Sequence, residues 1–233
     1  MKAFLLAAGE GTRLRPLTET TPKCLVPICG RPLLAYWFDL FRRHGIEEVL
    51  INTHHLSDQV RAYVRSVEGV RVSVIYEPEL LGSAGTLYAN RDFVKGEDAF
   101  FILYADNLTN ANLDALAAFH QSHSGIVTMG LFETSVPRQC GIVQLDSEAR
   151  IVDFVEKPSH PKSNLANAGI FVAQPGLFDF LSDRMPLDLG HNVLPPLIGR
   201  MYGFRIREYL LDIGTLENYR KAQEEWAIIR NNE

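Results

Sequence analysis

The sequence predicts an α/β fold built on a mainly parallel mixed sheet with helices on both faces. Apolar runs of strand length alternate with longer stretches at helical spacing, most clearly in the first half. A glycine-containing turn follows the first apolar run directly, where open α/β sheets place their ligands. The 233 residues, 46% of them hydrophobic, suffice to bury one large core. No Ser/Gly-rich linker, low-complexity tract or internal repeat interrupts the chain, so one domain over residues 1–233 is expected.

The strands expected in the first half are Lys2 to Ala7, Glu48 to Asn52, Val70 to Tyr76 and Ala99 to Tyr104. Pro32 to His44 carries Leu33, Leu34, Trp37, Phe38 and Phe41 at helical spacing, with Gly45 as its stop and the aromatic stripe as core. Leu56 to Val67 reads as the next helix, and Asn112 caps another running to His123, before a strand at Ile126 to Phe132. Shorter strands follow at Ile142 to Leu145, Ile151 to Val155 and Ala168 to Ala173. Helices are then expected to return, the last at Thr215 to Ile229. The change of pattern after Glu133 divides the domain into functional halves, about 1–133 and about 134–233.

A net charge of -5 and a pI near 5.8 leave no general basic surface for a nucleic-acid backbone. Cys24, Cys29 and Cys140 lack the paired spacing of a zinc site and read as reduced thiols. The apolar stretch from Ala3 to Ala8 is too short for a secretory segment or a membrane span, so a cytoplasmic protein without membrane association is expected. His120 and His123 stand three apart on a predicted helix but have no Cys or acidic neighbour, and His54 and His55 point apart in an extended chain.

The turn Ala8-Gly9-Glu10-Gly11-Thr12-Arg13-Leu14-Arg15 combines glycines that permit close backbone approach with a guanidinium suited to phosphate oxygens. Lys23 adds a further positive charge. This is neither a Walker A loop nor a G-x-G-x-x-G fingerprint, since no Gly-Lys-Ser/Thr ends it and position 14 is Leu14. A tight turn with solvated basic residues is the alternative. Asp106 lies just past the apolar run Phe100 to Tyr104, and Asp212 just past Leu210-Leu211. Two carboxylates together with triphosphate oxygens make a hard, all-oxygen site suited to Mg²⁺, though either aspartate alone also fits a strand-end turn.

The stretch Gly9-Glu10-Gly11-Thr12-Arg13-Leu14-Arg15-Pro16-Leu17-Thr18, followed by Thr21-Pro22-Lys23-Cys24-Leu25-Val26-Pro27, closely resembles the signature of sugar-1-phosphate nucleotidyltransferases. The resemblance runs from Lys2 to the final helix, with motifs in the family's order. It implies a Rossmann-like fold of the nucleotide-diphospho-sugar transferase type. It also implies triphosphate binding by Ala8, Gly9, Gly11, Thr12 and Arg13, phosphate contact by Lys23, and Mg²⁺ binding by Asp106 and Asp212. Glu156-Lys157-Pro158 and Asn167-Ala168-Gly169 match the family's sugar site: Lys157 pairs with the sugar phosphate, while Glu156 and Asn167, with the backbone at Gly141, meet the sugar. Glu77 to Gly85 resembles the base-recognition loop, which makes Glu77, Gly82 and Ser83 nucleotide-binding candidates.

The substrates so implied are a nucleoside triphosphate and a sugar 1-phosphate, with a homodimer as the expected assembly. Mannose-1-phosphate guanylyltransferases look nearest, through Leu81-Gly82-Ser83-Ala84-Gly85 and Cys140-Gly141-Ile142-Val143; short uridylyl- and thymidylyltransferases share most of these motifs. A carboxylate such as Glu77 leans towards guanine, since it accepts from two adjacent donors. The hexapeptide-repeat domain carried by many relatives has no counterpart in these residues. A glycosyltransferase is the rival enzyme class, but Asp106 is followed by Asn107-Leu108 rather than completing Asp-x-Asp. A regulatory relative that only senses nucleotide sugars is the non-catalytic alternative, and such a protein is expected to lack Arg13, Lys23 or an aspartate.

Overall fold

The computed structural model describes residues 1–232; Glu233, the last residue of the expected domain, lies outside the described residues. In chain order the elements are β1 (Ala3–Leu6), α1 (Leu17–Thr20), β2 (Pro27–Ile28), β3 (Arg31–Pro32), α2 (Leu33–Arg43), β4 (Glu48–Thr53), α3 (Ser57–Val64) and β5 (Arg71–Tyr76). There follow α4 (Ser83–Ala89), β6 (Phe100–Tyr104), β7 (Asn107–Thr109), α5 (Leu113–Gln121), β8 (Val127–Glu133), β9 (Gly141–Leu145), β10 (Ile151–Glu156) and β11 (Leu165–Ala173). The chain closes with β12 (Met201–Arg205), β13 (Leu210–Asp212) and α6 (Leu216–Asn232). Every strand and helix expected in the first half forms. No helix among the described residues is long and apolar enough to cross a membrane.

The stretch after Ala173 departs from expectation. Helices return there only as short pieces, 3-10 at Pro175–Phe180 and Pro195–Leu197 and π at Leu189–Val193, with no α-helix before α6, and β12 and β13 precede it. Four prolines, Pro175, Pro186, Pro195 and Pro196, keep any helical run in this stretch short. In β12 the sequence Met201-Tyr202-Gly203-Phe204-Arg205 sets buried Met201 and Gly203 on alternate positions, the period of a strand.

The chain divides into two compact units built from interleaved segments rather than from sequential halves. The first contains Met1–Phe4, Leu81–Leu103 and Ala111–Arg207. Its sheet is mixed: β11 pairs antiparallel with β6, β8 and β9, β9 pairs antiparallel with β10, and β12 pairs parallel with β8. β11 is buried along almost its whole length, and its near-continuous apolar run is what a central strand requires. Its register shifts between Asn167 and Phe171, where Gly169 takes φ 66°, an irregularity only glycine enters without strain. Asn112 caps α5 as expected, its Oδ1 accepting from Ala115 N at 2.9 Å. His120 and His123 both hydrogen-bond the Thr128 hydroxyl, at 2.8 and 2.9 Å. Burial, with His123 adding to it, pushes the His120 pKa down to about 4, so this imidazole is a neutral core group.

The second unit contains Leu5–Leu80, Tyr104–Asn110 and the chain from Glu208 onward. β4 and β5 pair in parallel from Glu48↔Arg71 to Thr53↔Tyr76. Helix α2 buries eight of its eleven residues, among them Trp37, Phe38 and Phe41. It stops where expected: Gly45 adopts φ 61° while Ile46 N donates to Phe41 O at 2.9 Å. A core of Leu14, Val26, Ile28, Leu33, Leu108 and Ile213 gathers the phosphate turn, α2, β7 and the residue after β13 around α6, which contributes Ala222 and Trp226. Gln223 fixes α6 further, donating to Pro27 O at 2.7 Å and accepting from Cys29 N at 2.7 Å. All three cysteines are free thiols, and burial pushes that of Cys24 up to about 12.

In the first unit Gly82 stands at φ 80°, and a Cβ built there runs into the backbone of Leu187, whose N–H donates to Leu81 O at 2.8 Å. Gly82→Ala is therefore expected to cost about 1–3 kcal/mol from backbone strain alone, with steric overlap adding to it. A urea midpoint within error of the parent protein would contradict this packing.

Candidate active site

The second unit brings the predicted phosphate turn and both predicted aspartates together. β1 ends at Leu6, and the chain then opens into the turn. Asn52 Oδ1 at the end of β4 accepts from Ala7 N at 2.8 Å, and Thr18 Oγ1 donates to Gly11 O at 2.7 Å. Gly11 has φ 66°, and a side chain there would press on Thr18 and on Lys23 Cβ at 3.3 Å. The turn thus closes over Lys23 only because Gly11 lacks a Cβ.

The aspartates are joined by a pairing that the sequence did not disclose. β7 and β13 form a two-stranded antiparallel ribbon in which Asp212 stands opposite Asn107, and Ile213 N donates to Asp106 O at 3.0 Å. Residues more than a hundred positions apart are thereby neighbours. Lys23 Nζ lies 2.5 Å from Asp106 Oδ2 and 3.6 Å from Asp212 Oδ1, with only 10% of the lysine side chain exposed. Gly214 leaves room for the rest of the cluster. A Cβ there would lie 3.0 Å from Arg13 Nη2, 3.0 Å from Lys23 Nζ and 2.8 Å from Asp212 Oδ1. Its N–H donates to Asp212 Oδ1 at 2.7 Å. Gly9, Gly11, Thr12, Arg13, Lys23, Asp106 and Gly214 line a cavity of about 260 Å³.

This cluster sets two acids, Asp106 and Asp212, beside the cations Lys23 and Arg13. Burial and the nearby Asp106 carboxylate raise the Asp212 pKa, while Lys23, the Gly214 N–H and Arg13 act in the opposite direction. A divalent cation fits such a site because it adds charge where carboxylates repel each other, and the donors are all oxygen. No group of three or more His, Cys, Asp or Glu side chains that could hold a metal alone occurs among the described residues. Two carboxylates completed by substrate oxygens and water is the arrangement Mg²⁺ prefers.

Glu77, expected at the base, is buried at 2% exposure, and its Oε1 accepts from Asn52 Nδ2 at 2.9 Å. Its carbonyl meets His54 Nδ1 at 2.7 Å. Asn52 is the residue the sequence reading passed over: it spans from Ala7 N to Glu77 and so ties the phosphate turn to the segment after β5. A polar residue closing the buried run Val49-Leu50-Ile51 was the available signal.

In the first unit, Glu156 ends β10 opposite Gly141 of β9. A Cβ at Gly141 would lie 2.6 Å from Glu156 Oε2 and one at Gly190 would lie 2.9 Å from it, so the two glycines make the slot that holds the carboxylate. Burial raises the Glu156 pKa; Lys157 and His191 oppose that, and Asp188 adds to it. Lys157 has φ 47° and places Nζ 3.7 Å from Glu156 Oε1 with 60% of its side chain exposed, a left-handed backbone that turns the chain out of the strand. Asn167 Oδ1 accepts from Gly169 N at 2.9 Å, which fixes the side-chain amide. Ser83, expected at the nucleotide, donates to Asp188 Oδ2 at 2.9 Å and accepts from Leu189 N at 2.8 Å. The turn from Asp188 to His191, which no sequence motif marked, therefore joins the Glu156 group.

With its pKa raised above the ordinary 3.8, Asp212 contributes stability that is complete at pH below 3.8 and is lost as pH rises through the folded value. In metal-free protein, Asp212→Asn should unfold at an equal or higher temperature at pH 7, by less than about 1 kcal/mol because the side chain is half exposed, and the gap should close towards pH 4. A marked loss of stability at pH 7, measured by thermal unfolding in chelator, would contradict this electrostatic picture.

Residues 2–227 match the profile of the nucleotidyl transferase family. The chain is 30% identical to a UTP–glucose-1-phosphate uridylyltransferase of Synechocystis sp., an alignment covering 95% of this chain and 62% of that protein. It is also 30% identical to a mannose-1-phosphate guanylyltransferase catalytic subunit beta of Xenopus tropicalis, over 97% of this chain and 68% of that protein. The chain thus spans roughly two thirds of the length of these relatives. A crystal structure of a UDP-glucose pyrophosphorylase complexed with UDP-glucose superposes with a TM-score of 0.84 at 22% identity, covering 97% of this chain and 98% of that one, which establishes the Rossmann-like α/β fold. On the match of its sequence over residues 2–227, the chain belongs to the nucleotidyl transferase family.

Proposed function

We propose that this chain is a Mg²⁺-dependent sugar-1-phosphate nucleotidyltransferase, transferring a nucleoside monophosphate from a triphosphate to a sugar 1-phosphate and releasing pyrophosphate. The observation that carries the reading is the convergence of Asp106 and Asp212 on Lys23 beside the Gly11–Arg13 turn. GTP and mannose 1-phosphate are the favoured substrates, with UTP or dTTP and another sugar 1-phosphate as the alternative. The guanine assignment rests on the motif resemblance and on the mannose-1-phosphate guanylyltransferase relatives. Glu77 supports it less directly, because its carboxylate is already hydrogen-bonded to Asn52 and acts first to hold the loop. A cytoplasmic homodimer is the assembly proposed with it, which light scattering after gel filtration checks.

The chemistry follows from the residue types. A sugar phosphate has a second pKa near ~6, so its attacking oxygen is largely ionised at neutral pH and needs no general base. What the site must supply is charge and position. Ala8, Gly9, Gly11 and Thr12 offer backbone and hydroxyl groups to the triphosphate, and Arg13 and Lys23 neutralise it. When bound at Asp106 and Asp212, Mg²⁺ supplies Lewis-acid stabilisation of charge on the α-phosphate. Lys23 Nζ lies against both acids, so in this reading its ammonium exchanges a carboxylate for a phosphate oxygen when metal and triphosphate bind. In the other unit Lys157 pairs with the sugar phosphate, and Glu156, Asn167 and the Gly141 backbone hold sugar hydroxyls. Gly82 and Ser83 complete the nucleotide loop, Ser83 through the hydroxyl now held by Asp188. In sequence terms, residues 1–133 thus serve mainly the nucleotide and 134–233 mainly the sugar phosphate, Asp212 being the member of the later stretch that joins the nucleotide set.

Pyrophosphate release, measured over a matrix of triphosphates and sugar 1-phosphates with Mg²⁺, tests the reading; no release with any pair would overturn it. Within the active pair, Asp106→Asn is expected to lower kcat by about 10²–10³-fold or more while leaving the unfolding temperature nearly unchanged. Near-normal turnover in that variant would remove Asp106 from the metal site.

A further inference from the structure

Within its sheet β4 lies between β1, which leads into the phosphate turn, and β5, which leads into the segment that begins with Glu77. The residues at and just after the end of β4 hold both. On the turn side, Ala7 N donates to Asn52 Oδ1 at 2.8 Å. His55 Nε2 lies 2.9 Å from the carbonyl oxygen of Thr18, the residue whose hydroxyl donates to Gly11 O. On the other side, Glu77 N donates to Thr53 O at 2.8 Å, His54 Nδ1 meets Glu77 O at 2.7 Å, and Asn52 Nδ2 donates to Glu77 Oε1 at 2.9 Å. Asn52 thus reaches both segments with a single side-chain amide. It is 4% exposed and Glu77 2%, so water does not readily replace either bond.

The chemistry of position 52 is restrictive. A backbone N–H only donates, so the amide oxygen faces Ala7 and the NH₂ is left for Glu77. A carboxylate at 52 would still serve Ala7 but would set acceptor against acceptor at Glu77, and an apolar side chain would leave both partners buried without this bond. We propose that Asn52 is a positioning residue for the nucleoside triphosphate, a role that rests on the nucleotidyl-transfer reading above, in which both segments meet that substrate. It holds the phosphate turn and the Glu77 segment in the one relation that lets a single nucleotide engage both. Asn52 acts through Ala7 and Glu77 rather than on the reacting atoms, and Glu156, Lys157 and Asn167 belong to the other unit. Its loss therefore weakens triphosphate binding and spares both the chemical step and the sugar phosphate.

The test is steady-state pyrophosphate release by the full chain, well below the unfolding temperature of each variant, with triphosphate affinity measured in parallel by calorimetry with Mg²⁺ and no sugar phosphate. Asn52→Asp is expected to raise the triphosphate KM and Kd about tenfold, with kcat and the sugar-phosphate KM within about twofold of the parent protein. Asn52→Asp combined with Glu77→Gln restores the bond with donor and acceptor exchanged. Its triphosphate Kd should return to within about threefold of that of Glu77→Gln alone, in which the Asn52 amide still finds an acceptor. Asn52→Ser keeps a hydroxyl for one partner and should show the same split at about threefold, which serves if Asn52→Asp does not fold. A role in stability alone would lower the unfolding temperature without this split or its rescue. An unchanged triphosphate Kd in both single variants at position 52, an equal rise in the sugar-phosphate KM, or no recovery in the double variant would overturn the proposal. A parent chain that binds triphosphate but transfers it to no sugar phosphate defeats the reaction assigned above and leaves the Kd comparison to decide on Asn52; one that binds no triphosphate defeats both.

Discussion

The candidate site depends on one buried ammonium. Lys23 Nζ touches both Asp106 and Asp212, at 2.5 and 3.6 Å, and without it two like charges would face each other beside the β7–β13 ribbon. Such a pair is costly when partly removed from water. The Gly11 turn, the absence of a side chain at Gly214 and the packing of Ile213 into the α6 core all serve to keep that ammonium and those acids within reach of one another. The same arrangement lets a site proposed for anionic substrates sit in an acidic chain: Arg13 and Lys23 put positive charge at the phosphate turn whatever the net charge of the whole.

The two units use glycine for the same purpose in different chemistry. Around Glu156, the missing side chains of Gly141 and Gly190 form the slot that receives the carboxylate, and burial raises its pKa. Around Lys23 and Asp212, the missing side chain of Gly214 leaves space for oppositely charged groups to converge. In both places a charged group is positioned by what is absent beside it, which is why these glycines belong to the site as much as the residues with functional side chains.

Much of this was legible in the sequence, and the rest was hidden for physical reasons. Local patterns sufficed for α2 with its Gly45 stop, for α5 with its Asn112 cap and for the buried strands β4, β6 and β8, because each is specified by neighbours a few residues away. Asp106, Asp212, Arg13 and Lys23 were found by motif, but not the pairing that unites them: β7 and β13 are three residues each, too short for a period to show. β12 was missed because its glycine and aromatic residues carry no clear alternation of charge, and the helices expected before α6 form only as short 3-10 and π pieces in a stretch punctuated by proline. Asn52 and the Asp188–His191 turn escaped because their partners, Ala7, Glu77 and Ser83, are distant in sequence, and only tertiary structure shows which polar side chains are satisfied by one another.

Crystals grown with Mn²⁺ in place of Mg²⁺ and a non-hydrolysable triphosphate provide the most direct measurement, because manganese is located by its anomalous scattering independently of any interpretation of the site. An anomalous peak within coordination distance of one oxygen from Asp106 and one from Asp212, with Lys23 Nζ displaced onto a phosphate, is the predicted result. A peak that touches neither acid, or a Lys23 still bridging both in the presence of metal and nucleotide, would contradict the account.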